Sequence, residues 1–157
     1  MPNVKTTGGA KFYLGPVSTA EPSSSFVALT PYTEVKEVTN LGRVGDAKGF
    51  VAYNPLGSNR TKQIPGSFNA GTLRLVCGRD PTDAGQIAMF AAVQTKNEYA
   101  IKIVLDDQIT PTTGNATAIY YRAAIGGGDI NLGGNEDVTT VTFDVALNSA
   151  PYIVPAV

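Results

Sequence analysis

Residues 64–93 read IPGSFNAGTLRLVCGRDPTDAGQIAMFAAV, and this stretch decides the fold class. Its first half alternates, with Leu73, Leu75 and Cys77 on one side and Thr72, Arg74 and Val76 on the other. That period of two is the signature of a half-buried strand. Asp80-Pro81 follows. Aspartate is a favoured N-cap, and proline is favoured at the first helical position because the N–H it lacks is one the helix leaves unpaired. The pair therefore predicts a helix starting there, with Asp83 placing negative charge at the positive end of the helix dipole. Ala84, Ile87, Ala88 and Ala91 fall on one stripe, with Met89, Phe90 and Val93 beside it. Gly85 costs the helix about 1 kcal/mol relative to alanine. So short a helix does not stand alone in water and depends on a surface to cover.

Outward from this stretch the chain reads as strands and turns. Phe50-Val51-Ala52-Tyr53 is a short strand stopped by Asn54-Pro55-Leu56-Gly57, and residues 58–67 are polar around Pro65-Gly66, a long loop or hairpin tip. Residues 98–106 (EYAIKIVLD) place Tyr99, Ile101, Ile103 and Leu105 on one face. Residues 116–125 (ATAIYYRAAI) and 138–147 (VTTVTFDVAL) repeat the pattern, separated by a loop bracketed by Gly126-Gly127-Gly128 and Gly133-Gly134. Residues 1–30, broken by Gly8, Gly9, Gly15, Pro16, Pro22 and three serines, read as an extended N-terminal arm, and 31–157 as a single domain. The expected fold is mainly β, a small barrel or sandwich flanked by one short α-helix, with the arm and a long loop attached.

The composition narrows function by exclusion. The 157 residues contain no histidine and a single cysteine, which removes histidine-based triads, intramolecular disulfides and thiolate metal cages. Cys77 is in phase with Leu73 and Leu75, so it reads as a buried thiol. Asp106 and Asp107 are neighbours in the chain, and adjacent strand residues point to opposite faces, so they do not clasp one substrate. Asp129, Asn135, Glu136 and Asp137 offer oxygen ligands for calcium in a glycine-rich loop, but their spacing is not that of an EF-hand. Gly126-Gly127-Gly128 carries no phosphate-loop pattern. No catalytic residue, cofactor or metal is expected. With a net charge of −1 there is no basic field to hold nucleic acid. No run of about 18 apolar residues predicts a membrane span, and the N-terminus lacks the pattern of a signal peptide. Charged residues make up 16%, well below the roughly 25% of an average soluble domain. Low charge of this kind suits a chain that hides surface against other subunits.

The order of elements, with Ile64-Pro65-Gly66, Asp80-Pro81-Thr82-Asp83-Ala84-Gly85-Gln86 and Asn148-Ser149-Ala150-Pro151, resembles the major tail tube proteins of long non-contractile-tailed bacteriophages, relatives of the inner tubes of contractile systems. The resemblance implies a virion protein, assembled in the host cytoplasm into hexameric rings that stack into a hollow conduit for double-stranded DNA. Such a tube also holds a tape-measure protein and joins other tail proteins. Ile87, Met89 and Phe90 on the helix, Pro65 and Gly66 in the loop, and Tyr152 and Ile153 in the tail are expected at subunit interfaces. Phe12–Leu14 in the arm is expected to pair as a strand or to dock in the same way, and Lys102 and Asp106, read as sharing a strand face, are candidates for the lumen. The competing expectation is a non-enzymatic β-sandwich binding module or a virion decoration protein.

Overall fold

The computed structural model describes residues 4–157. Ten strands and two helices follow in the order β1 (Lys11–Val17), α1 (Ser24–Ala28), β2 (Thr33–Val35), β3 (Val38–Asn40), β4 (Ala47–Tyr53), β5 (Lys62–Asn69), β6 (Thr72–Gly78), α2 (Ala84–Val93), β7 (Glu98–Val104), β8 (Ala118–Asn131), β9 (Thr140–Leu147) and β10 (Tyr152–Val154). Eight strands form one antiparallel sheet in the order β2-β1-β7-β8-β9-β6-β3, with β10 also paired to β8. Its two end strands, β2 and β3, are separated in the chain only by Lys36 and Glu37. The backbone there crosses from one sheet edge to the other, with Glu37 at φ 57°, and the sheet folds over on itself. β2 and β3 do not pair, so the result is sandwich-like and not a closed barrel.

Alternation in sequence becomes the core. Leu73, Leu75 and Cys77 of β6 face Val141, Phe143, Val145 and Leu147 of β9, all buried with Phe12, Ile101, Ile103, Tyr121 and Met89. β7 and the first half of β8 are covered on both faces. Ala100, Ala118 and Tyr120 lie on the reverse side under Phe26 of α1, flanked by Leu29, Tyr32 and Tyr152. Arg122 holds that covering segment in place. Its guanidinium is 2.8 Å from Glu98 and 2.9 Å from Glu21, and it donates to Thr19 O at 2.9 Å.

The arm is thereby corrected. Residues 11–17 form β1 between β2 and β7, with Phe12 and Leu14 buried in the main core and unavailable for docking, and residues 24–28 add a second helix. Residues 1–3 of that arm lie outside the described residues. The sparse apolar pattern left strand or docking segment undecided because the partners of β1, Val35 and Ile103, are distant in sequence. The Gly126-Gly127-Gly128 loop is likewise strand: β8 runs through it to Asn131, with a bulge against β9 between Gly127 and Asp129.

Helix α2 packs against β1, β2 and β8. Its N-cap is Asp83, three residues later than the Asp80-Pro81 pair predicts, because Asp83 has a second task. One carboxylate oxygen accepts from Gln86 N at 3.1 Å and from Lys36 N at 3.0 Å. The fully buried Gln86 donates through Nε2 to Gly78 O (2.7 Å) and Lys36 O (3.3 Å) and accepts from Asp80 N (3.1 Å). These bonds tie the helix start to the β2–β3 crossing and to the end of β6. Each buried group left unmatched there would cost about 1–3 kcal/mol.

The core also sets an alkaline limit. Burial, helped by the charge of Asp83, pushes the Cys77 thiol from its ordinary 9.0 up to about 12. Burial likewise raises Tyr32, Tyr120 and Tyr121, with neighbouring Tyr120, Tyr152 and Asp46 respectively as the second cause. Above the unfolded value the unfolded chain sheds a proton that the folded chain keeps, so stability is full below about pH 9 and falls as pH rises towards the folded value. Urea titrations at stepped pH are expected to show a loss approaching about 1.4 kcal/mol per pH unit for the thiol. In Cys77→Ala the decline should begin only where the tyrosines titrate, near pH 10. An unchanged onset would clear the thiol of any role.

Candidate assembly surfaces

β4 and β5 pair with each other and with no strand of the main sheet. The register sets Phe50 opposite Pro65, Val51 opposite Ile64, Ala52 opposite Gln63 and Tyr53 opposite Lys62, with an irregularity between Lys48 and Phe50. The long loop expected around Pro65-Gly66 is therefore half of a hairpin, and those two residues lie within β5. Glycine suits its place: a Cβ on Gly66 would sit 3.2 Å from Gly49 O across the ladder. No residue of either strand belongs to the two core clusters. Both faces are open, with Phe50 65% and Phe68 64% exposed, Val51 and Ile64 more than half exposed, and Leu56 fully exposed at the turn. Lys48 Nζ lies 4.9 Å over the Phe68 ring. A lone two-stranded hairpin is marginal in water, and an apolar one invites a partner.

The helix presents a different face from the one its sequence stripe suggests. Gly85, Gln86, Met89 and Ala92 point inward, while Ile87 is 56% exposed. Met89 is thus removed from the expected interface: it is fully buried in the chain's own core. A period read from hydrophobicity fails here because the buried stripe contains a glycine and a glutamine. Phe90 is half-buried, edge-on to Phe143 at 5.0 Å, with the Arg79 guanidinium 5.1 Å away over its ring. In the tail, Tyr152 leans on Tyr120 (6.2 Å) and β10 is paired to β8 of the same chain, whereas Ile153 is exposed.

The two lumen candidates separate. Lys102 Nζ sits among three rings of its own chain, 5.4 Å from Tyr13, 5.7 Å from Tyr32 and 5.9 Å from Tyr120, on the side covered by α1. Asp106 lies past the end of β7, exposed and beside Gly9, so it shares no strand face with Lys102. The uncovered reverse face over β6 and β9 carries Thr72, Arg74, Thr142, Asp144 and Ala146, with Arg74 and Asp144 3.6 Å apart. The sequence does not single this face out, because which side of each strand stays uncovered is decided only by packing.

At the far end of β9, residues 132–139 form the exposed turn that joins it to β8. Asp129, Glu136 and Asp137 are exposed there, alongside Leu132 and Val138. Asp137 spends one oxygen on its own turn, accepting from Gly134 N at 2.6 Å. Among the described residues no group of three or more potential metal ligands comes together, and no helix is long and apolar enough to cross a membrane.

Residues 3–151 match the family described as phage tail tube protein, TTP. No curated protein sequence matches the chain. Among solved structures, the fold is similar to a chain of the PVC sheath/tube terminator, from an extracellular contractile injection system in the extended state. That chain is 10% identical with a TM-score of 0.64, and 96% of each chain is covered. A chain of the anti-feeding prophage baseplate is 12% identical over 93% of this chain and 91% of that one, with a TM-score of 0.58. A chain of the SPP1 tail tube is 15% identical over 93% of this chain and 76% of that one, with a TM-score of 0.59. At such identities the likeness is one of fold, and the family match extends it over nearly the whole sequence. The chain belongs to the phage tail tube protein family.

Proposed function

We propose that this chain is a structural, non-enzymatic subunit that assembles with copies of itself into stacked rings, hexameric by the family resemblance, forming the conduit of a virion tail. The observation that carries the reading is the β4–β5 hairpin, an apolar ribbon attached to a sheet that is already complete without it. Such a ribbon gains from burial against another subunit what its own core does not offer. Pro65 and Gly66 enter the interface as parts of that ribbon, and Ile87, Phe90 and Ile153 remain as exposed or half-exposed contacts. Tyr152 contributes from a position already packed on Tyr120.

The short, charge-paired face over β6 and β9 suits a wall along which double-stranded DNA moves. A basic lining would hold the phosphates by counterion release, whereas paired or sparse charge lets them pass. A tape-measure protein would occupy the same space before the DNA does, and other tail proteins would cap the tube. Assembly in the host cytoplasm and residence in the virion tail follow from this reading. Negative-stain microscopy of the purified chain at rising concentration tests it. Rings or hollow tubes are the expected result, and a discrete small species at every concentration would overturn it.

A further inference from the structure

We propose that the β4–β5 hairpin of one copy docks head to tail on the acidic β8–β9 turn of a second copy. This rests on the tube-subunit reading and names the surface that the hairpin meets. The hairpin carries Lys48, Arg60 and Lys62, and the chain has no carboxylate from residue 47 to residue 79. The β8–β9 segment is its electrostatic opposite. It holds Asp129, Glu136, Asp137 and Asp144, and no lysine or arginine occurs from residue 123 to the C-terminus. Of these acids, Asp144 is matched within the chain by Arg74.

Three other exposed carboxylates, Glu37, Asp46 and Asp106, are set apart at the β2–β3 crossing, before β4 and after β7, and the rest are engaged. Glu21 and Glu98 are neutralised by Arg122, Glu34 lies 3.9 Å from Lys11, and Asp107 accepts twice from Thr117. Lys36 stands near the start of α2, and Arg79 borders the acidic turn, its N donating to Thr139 O at 2.9 Å, but its guanidinium is laid over Phe90. Apolar groups match as well. Exposed Leu56 and Ile64 belong to the hairpin, and exposed Ile130, Leu132 and Val138 to the turn region.

The register places these two surfaces at opposite ends of the sheet. Gly78 pairs with Thr140 beside the β8–β9 turn, and Thr72 pairs with Ala146 at the other end. The chain reaches the hairpin from that second end, where Gly71 O accepts from Leu147 N at 3.0 Å. The seven residues of β6 between them span about 20 Å at roughly 3.3 Å per residue. Within one molecule the hairpin base and the turn therefore lie a strand length apart. Between molecules a translation along the strands brings them together, and repeating that step gives an open, stackable series.

Charge exchange tests the pairing. Arg60→Glu with Lys62→Glu, and separately Asp129→Lys with Glu136→Lys, are each expected to raise the critical concentration for assembly at least about tenfold. All four changes together should restore it to within about threefold of the parent chain. All sites are exposed, and circular dichroism checks that each variant folds. As a second measurement, Arg60→Cys combined with Glu136→Cys should give a ladder of disulfide-linked oligomers on oxidation, with the buried Cys77 taking no part. If the hairpin reversal blocks assembly but the fourfold exchange does not rescue it and no ladder forms, the pairing is wrong while the tube reading stands. If the parent chain never assembles, the tube reading itself fails and the pairing with it.

Discussion

Replacing residues 47–69 with a short Gly-Ser linker is expected to yield a folded monomer that does not form tubes. The fold survives because β4 and β5 pair only with each other and give no residue to either core cluster. The cut is also easily closed. Ala47 and Asn69 are ladder partners, so their Cα atoms lie about 5 Å apart and a few residues bridge the gap. Shortening the loop lowers its closure entropy slightly, and the unfolding free energy is expected to stay within about 1 kcal/mol of the parent. Assembly loses far more. Burying Phe50, Val51, Ile64 and Phe68 contributes about 1.5–3 kcal/mol for each side chain fully covered. Even half of that total corresponds to at least about a hundredfold in association at every contact. Sedimentation velocity and negative-stain microscopy read the outcome. Tubes formed by the excised chain would remove the hairpin from assembly, and an unfolded chain would make it part of the fold.

How far the sequence foretold these features depended on where the partner of each element lay. β6, β7 and β9 were legible because one face of each alternates cleanly, and Leu73, Leu75, Cys77, Ile103, Phe143 and Val145 are buried as their period requires. β1 was not, since its pairing with Val35 and Ile103 is a long-range contact that leaves little local pattern beyond Phe12 and Leu14. The β4–β5 ribbon was half-legible. Phe50-Val51-Ala52-Tyr53 read as strand, but Pro65-Gly66 reads as turn, and nothing local shows that an exposed strand can carry both. The surroundings of Lys102 were not legible at all. Three tyrosines from β1, β8 and the segment after α1 meet its ammonium only in the folded chain.

Gly85→Ala should be among the most damaging single substitutions in this chain, against the sign that helix propensity alone assigns it. In an isolated helix the change would gain about 1 kcal/mol. Here α2 crosses β2 so closely that an added Cβ would overlap the carbonyl oxygen of Glu34 and come within 2.6 Å of Val35 Cα. Both obstacles are backbone, which does not swing aside as a flexible side chain would. To relieve the overlap the helix must lift from the strand. Lifting stretches the bonds that Lys36 N donates to Asp83 and Gln86 Nε2 donates to Lys36 O, which fasten the helix start to the sheet crossing. It also loosens Met89 and Ala92 in the main core. Overpacking typically costs about 1–3 kcal/mol, and the strained polar network adds roughly 1–2 more. A net loss of about 3 kcal/mol is therefore expected, a large share of the stability of a domain this size. A urea or thermal titration of the variant checks it directly. A neutral or stabilising result would mean that the helix is free to move off β2, and that the crossing at Lys36 and Glu37, not the helix, holds the two sheet ends together.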